Sequence, residues 1–136
     1  MVEDFSFGSY GDYSGVVFYG PPTDGFWLDR LAVSNRFMGP LFCGLVDRAL
    51  RDENGKAPSL AKEWNAVSGW RDSDRCVLAG ETAAEFAEAL RHLRAEDVAP
   101  HCAGCTPDQC LRCASVIREF IATRLARGVA LYIEDV

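Results

Sequence analysis

Residues 101–113 read His-Cys-Ala-Gly-Cys-Thr-Pro-Asp-Gln-Cys-Leu-Arg-Cys and gather the side chains that bind soft metal ions. Two C-x2-C pairs, Cys102/Cys105 and Cys110/Cys113, are separated by four residues. A C-x2-C pair with glycine before its second cysteine can curl both sulfurs toward one ion. The second pair has a different geometry. Thr106-Pro107-Asp108-Gln109 has the pattern of a capping box with proline at the first helical position, so the spacing predicts a helix from Pro107. Cys110 and Cys113, three apart, then fall on one side of its first turns. The positive end of the helix dipole favours the thiolates that a metal requires. Four thiolates close a tetrahedron and leave no position open for catalysis. The pattern therefore predicts a structural zinc site with Cys102, Cys105, Cys110 and Cys113 as ligands, on a metal-binding insert at about 99–113.

Other chemistry competes for the same residues. The usual zinc patterns place their two pairs further apart than four residues. Cys105-x4-Cys110-x2-Cys113 matches three quarters of a plant-type two-iron cluster spacing, but that pattern needs a downstream cysteine and none follows Cys113. Cys110 and Cys113 at a helix start could be a redox dithiol, although no strand runs straight into them. Free or disulfide-linked cysteines without metal are the plainest alternative. His101 could replace a cysteine as ligand, or be a loop residue. Cys43 and Cys76 stand alone on apolar segments and read as small core hydrophobes. Asp72 and Asp74 form a carboxylate pair, but Arg71 and Arg75 flank them, which fits a solvated turn. The chain has no glycine-rich phosphate loop, no G-x-S-x-G elbow, no H-E-x-x-H and no zinc-deaminase signature.

The cysteines need a frame. The apolar positions along 107–127 (Cys110, Cys113, Ala114, Ile117, Phe120, Ile121 and Leu125) share one face at about 100° per residue, and Gly128 suits a left-handed residue after the helix. Arg124 falls inside that face, so it should snorkel or pair with a buried carboxylate. Thr82-Ala83-Ala84-Glu85 reads as a second capping box, opening a helix over 82–96, with His92 facing solvent. Pro40 reads as the first residue of a helix over 40–52, with Leu41, Leu45 and Ala49 as its buried stripe beside Phe42 and Val46. Asn54-Gly55 reads as a turn. A short helix after Ser59 is suggested by Leu60, Trp64 and Val67, and 70–74 reads as a polar turn. Strands are expected at 15–19, 75–79 and 129–134. The turn Gly20-Pro21-Pro22-Thr23-Asp24-Gly25 closes the first. Segment 26–36 fits either a short helix or a strand. Ten of the fifteen aromatic residues precede residue 43, as expected for sheet and core packing. Tyr10 and Tyr13, among Gly, Ser and Asp, could instead belong to a recognition surface. The expected fold is α+β: one domain over 1–136, a small mixed or antiparallel sheet packed by three or more helices, and a four-cysteine knuckle leading into the last long helix.

Composition narrows the role. The 136 residues carry 14 Lys plus Arg against 20 Asp plus Glu, a formal charge of −6. An acidic chain is a poor generic binder of nucleic acid or anionic membrane. Four zinc-bound thiolates would add 4(−1) + 2 = −2 beyond that count. No stretch of about 18 apolar residues occurs. The opening Met-Val-Glu-Asp-Phe-Ser-Phe lacks the basic and apolar regions of a secretory signal, so the reducing cytoplasm is expected. Twelve arginines against two lysines suggest a GC-rich bacterial source. The function expected is a small cytoplasmic protein-binding module, of inhibitor or immunity type, facing a partner that acidity suggests is basic. The alternatives are a metal- or thiol-dependent enzyme using the cysteine cluster, and a nucleic-acid-linked regulator. The missing catalytic motifs lean against an enzyme.

Overall fold

A computed structural model describes residues 3–22, 25–51, 55–64 and 75–136. Thr23 and Asp24 of the first turn, Asn54, Val67, and the 70–74 segment with Asp72 and Asp74 lie outside the described residues.

The architecture is mixed α+β, with one antiparallel four-stranded sheet and five α-helices among the described residues. The strands are β1 (Gly15–Tyr19), β2 (Arg30–Ser34), β3 (Cys76–Leu78) and β4 (Leu131–Asp135), in the order β2-β1-β4-β3. The helices are α1 (Asn35–Arg51), α2 (Ser59–Trp64), α3 (Gly80–Arg91), α4 (Ala95–Val98) and α5 (Pro107–Ala126). The ambiguous segment 26–36 thus splits into β2 and the start of α1. Pairing explains the choice: Val33 lies opposite Val16 and Leu31 opposite Phe18, so the strand extends the apolar face of β1.

Alternation along β1 divides its side chains. Val16 and Phe18 face the helices and join Val33, Leu78, Leu131 and Ile133 in the main core. Tyr19 faces the other way, where Trp27 packs edge-on to both Tyr19 and Tyr132, at 5.4 and 4.8 Å between centroids. The Arg75 guanidinium lies 3.9 Å over the Tyr19 ring and 4.4 Å over Trp27. Covered on both faces, β1 is buried along its whole length.

The core beneath the sheet is built on α1, α3 and α5. Phe42 stacks on Trp64 at 4.8 Å and tilts against Phe86 at 5.6 Å, and Phe86 stacks on Phe18 at 6.3 Å. Each fully buried ring of this set contributes about 1.5–3 kcal/mol by leaving water.

Two expected helix starts are corrected. Pro40 is not the first residue of its helix; α1 begins at Asn35 and Pro40 lies inside it. The Ser34 hydroxyl accepts from the Arg36 backbone N–H (3.1 Å), so the cap sits five residues earlier. Phe37 and Met38 are fully buried, which holds the extra turn in place. Thr82-Glu85 is not a capping box; α3 begins at Gly80 after Ala79, with no side-chain cap. The Glu85 carboxylate instead accepts from the Ser59 backbone N–H (2.6 Å), tying α3 to α2.

The helix expected over 82–96 stops at Arg91, and a separate four-residue α4 follows. Asp97 of α4 is buried and takes Arg48 (3.2 Å), Arg51 and the Arg94 backbone N–H (2.9 Å). His92 is exposed, as expected, and bonds to Glu88 at 3.0 Å. Arg91 and His92 hold the Glu88 carboxyl down at about 2. α5 fits its expected span, and Gly128 is left-handed at φ 68°. Arg124 pairs with Asp29 and lies 3.7 Å over the Phe120 ring.

Candidate metal centre

The chain reaches the cysteines through α4 and a 3-10 turn at Ala99–His101. Cys102 follows in extended conformation. Gly104 adopts φ +79°, which lets the loop curl back before Cys105; a side chain there would be strained. Thr106 then caps α5 as its sequence predicts. Its hydroxyl accepts from the Gln109 N–H (3.2 Å), and the Gln109 side chain accepts from the Thr106 N–H (2.9 Å). That reciprocal cap fixes where the first turn of α5 begins, and so where Cys110 sits.

The result is a close group of three sulfurs. Cys110 Sγ is 3.8 Å from Cys102 Sγ and 3.6 Å from Cys105 Sγ, and all three lie within 4.8 Å of one another. Zinc–sulfur bonds of about 2.3 Å at tetrahedral angles place sulfurs about 3.8 Å apart. Two of the three edges, which are thiol–thiol contacts here, are thus already of a length that a shared zinc ion would accept. Cys110 is fully buried, while Cys102 and Cys105 are half-buried. Three close cysteines of this kind could hold a metal ion such as zinc.

The expected quartet is therefore a group of three with Cys113 outside it. Three residues along a helix is about 4.5 Å of rise and 60° short of a full turn. Cys113 is fully buried, as Cys110 is, in the core cluster that also contains Ala114 and Ile117. His101 also lies outside the group; its Nε2 pairs with the Asp47 carboxylate of α1. Cys43 and Cys76 are half-buried at the rim of the core, and burial raises both thiols, as suits small hydrophobes.

The electrostatics favour protonated sulfurs unless a cation is present. Burial, the largest influence, pushes the Cys102, Cys110 and Cys113 thiols up, and neighbouring cysteines add to the rise at Cys110. The Cys102 thiol donates to the Val98 carbonyl at 3.3 Å and the Cys105 thiol to the Arg36 carbonyl at 3.4 Å. A metal entering this group must displace protons, so its binding is pH-dependent.

Arg36 is the residue that sequence reasoning missed. Its guanidinium donates from Nη1 to the Gly104 carbonyl (3.0 Å), and from Nε and Nη2 to Asp12 (3.1 and 3.2 Å). Tyr10 lies beneath the guanidinium at 4.9 Å. Arg36 is 68 residues from Gly104 in sequence, and no local pattern announces the contact. The one available signal is Pro40. A proline lacks the N–H that would bond to the carbonyl four residues back, so the Arg36 carbonyl is left for another donor.

No known protein family, curated protein or solved structure matches the chain.

Proposed function

We propose that the chain is a small acidic protein-binding module whose C-terminal half is pinned by a structural zinc ion. Cys102, Cys105 and Cys110 supply three thiolates, and Cys113, one turn further along the same helix, supplies the fourth. The observation that carries this reading is the 3.6 and 3.8 Å spacing of the grouped sulfurs. A structural role is supported by the surroundings. Cys110 is fully buried, and the depression of about 540 Å³ beside the loop is lined by Arg36 and Ala103 rather than by a cysteine. The binding role is supported by the charge of −6 and by the exposure of Tyr13, Phe26, Leu28 and Val77. No described helix is long and apolar enough to cross a membrane. An acidic module of this size suits a basic protein partner, in the manner of an inhibitor or immunity protein, and works in the cytoplasm, where thiols stay reduced.

The grouping of only three sulfurs favours one alternative. A three-thiolate ion keeps a fourth position for water or substrate, as catalytic zinc does. Elemental analysis of the untagged protein, with and without Cys113→Ala, separates the two. The structural reading expects one zinc per chain, lost or much weakened in the variant. Full zinc retention with a bound water in Cys113→Ala favours the enzyme. No stoichiometric metal, with the fold unchanged by chelator, overturns both. For the partner, recovery from native-host extract should weaken as salt rises.

A further inference from the structure

We propose that Arg36 is the positioning residue of the thiolate site, holding the Cys102–Cys105 loop in its metal-binding curl from both ends of its own backbone and side chain. The inference rests on the metal reading above.

Three observations converge on this one residue. First, its guanidinium grips the Gly104 carbonyl at 3.0 Å, at the glycine whose φ of +79° turns the loop. Rotation of that peptide would swing Cys105 away from Cys110. Second, its carbonyl accepts from the Cys105 thiol at 3.4 Å, which seats the loop beside α1 before a metal displaces that proton. That carbonyl is free of the helix ladder because residue 40 is proline. The rule-breaking proline inside α1 thus has a local consequence at the cluster. Third, the guanidinium is itself fixed. Asp12 takes two of its nitrogens, and the same carboxylate accepts from the buried Ser34 hydroxyl at the helix cap. Arg36 is 28% exposed and Asp12 27%, so the pair is neither free in solvent nor part of the core.

These contacts make a relay that runs from Asp12 through Arg36 to the Gly104 peptide and the Cys105 sulfur. Partners of this outer kind typically change metal affinity by about 10–100-fold when removed.

The experiment is a competition titration of the full chain with zinc against a chromophoric chelator, together with the cobalt(II)–thiolate absorption spectrum. The proteins are wild type, Arg36→Gln, Arg36→Lys and Asp12→Asn. Arg124→Gln is the control, because it removes an arginine–carboxylate pair near the far end of α5. Arg36→Gln should weaken zinc about 10–100-fold and alter the cobalt spectrum. Arg36→Lys, which keeps a donor for the Gly104 carbonyl and loses the fork, should recover the wild-type cobalt spectrum and only part of the affinity. Asp12→Asn should fall between wild type and Arg36→Gln. Arg124→Gln should bind as wild type does. If Arg36→Gln fails to fold, Arg36→Lys and Asp12→Asn decide. Wild-type affinity and spectrum in all folded Arg36 and Asp12 variants overturns the positioning role while leaving the metal site intact. Wild type that binds neither zinc nor cobalt overturns the metal reading itself, and the positioning role with it.

Discussion

Cys110→Ser tests the metal centre most directly, because Cys110 is the sulfur that touches both of the others, at 3.8 and 3.6 Å. Structural zinc sites in small peptides bind with about 10–16 kcal/mol at neutral pH. Shared over four ligands, that is about 2.5–4 kcal/mol per thiolate, or roughly two to three powers of ten in affinity. A hundredfold loss of affinity under metal excess removes about 2.7 kcal/mol of linked stability. For a chain of this length that corresponds to a fall of roughly 10 °C in melting temperature. Serine in a fully buried position carries its own cost of about 1–3 kcal/mol, which has nothing to do with metal.

The assay must therefore be a difference of differences: thermal unfolding of wild type and Cys110→Ser, each with zinc and with chelator. The wild-type curve should drop by roughly 10 °C or more when zinc is removed. The variant curve should start lower and move little. Equal chelator shifts in the two proteins would show that Cys110 is not a ligand. No chelator shift in wild type, with no metal by elemental analysis, would refute the reasoning from sulfur spacing to zinc.

Three further outcomes follow from the fold. Asp97→Asn should destabilise by about 2–3 kcal/mol, because it weakens charge-assisted bonds at a carboxylate that is 3% exposed; chemical denaturation at neutral pH reads this. Burial pushes the Asp97 carboxyl up, but the Arg94 N–H, Arg51 and Arg48 together hold it below 3.8. A carboxyl depressed on folding contributes stability above its unfolded value and loses it as pH falls through the folded one. Wild type should therefore lose this contribution as pH drops below about 4, and Asp97→Asn should show a shallower acid limb. Gly44→Val should cost about 1–3 kcal/mol, since a Cβ at Gly44 already meets the Asp97 carbonyl and Val98 at 3.1 Å; a wild-type melting temperature would show that α4 yields easily. Arg124→Gln should cost about 1 kcal/mol or less, because its pair with Asp29 is partly exposed, at 17% and 32%; a larger loss would mean that packing on Phe120 dominates.

Much of the frame was legible where one local signal had no competitor. Thr106, Pro107 and Gln109 cap α5 as their order predicts, and Gly128 ends it. β1 was plain from its own four apolar residues. Local signals misled where long-range packing overrode them. Pro40 resembles a helix start, yet Phe37 and Met38 bury fully only if α1 begins earlier. Thr82 and Glu85 have cap spacing, yet Glu85 is spent on Ser59, and that contact cannot be read from a four-residue window. At the cluster, spacing brought Cys102, Cys105 and Cys110 together. It could not show that Cys113 stands apart from them, because helical periodicity fixes direction around an axis and not the distances between sulfurs.

The charges around the cluster bear on the acidic surface as a whole. Arg36 and Arg112 are the cations nearest the cysteine segment in the contacts described, and each is already matched. Arg36 is held by Asp12, and Arg112 by Glu3 at 2.7 Å. Each such pair sums to zero. The proposed four-thiolate zinc, at 4(−1) + 2 = −2, is then not cancelled by its neighbours, and the chain stands at −6 − 2 = −8 when loaded. With three thiolates and a neutral fourth ligand the increment is 3(−1) + 2 = −1, and the total is −7. Metal loading would therefore change the long-range field that a basic partner meets. Steering by that field acts on the association rate and is screened over about 8–10 Å at ordinary salt. A partner that docks on this face should thus associate faster with the loaded protein at low salt, and the advantage should vanish at high salt. An advantage that survives high salt would instead mean that the metal acts by holding the loop in shape.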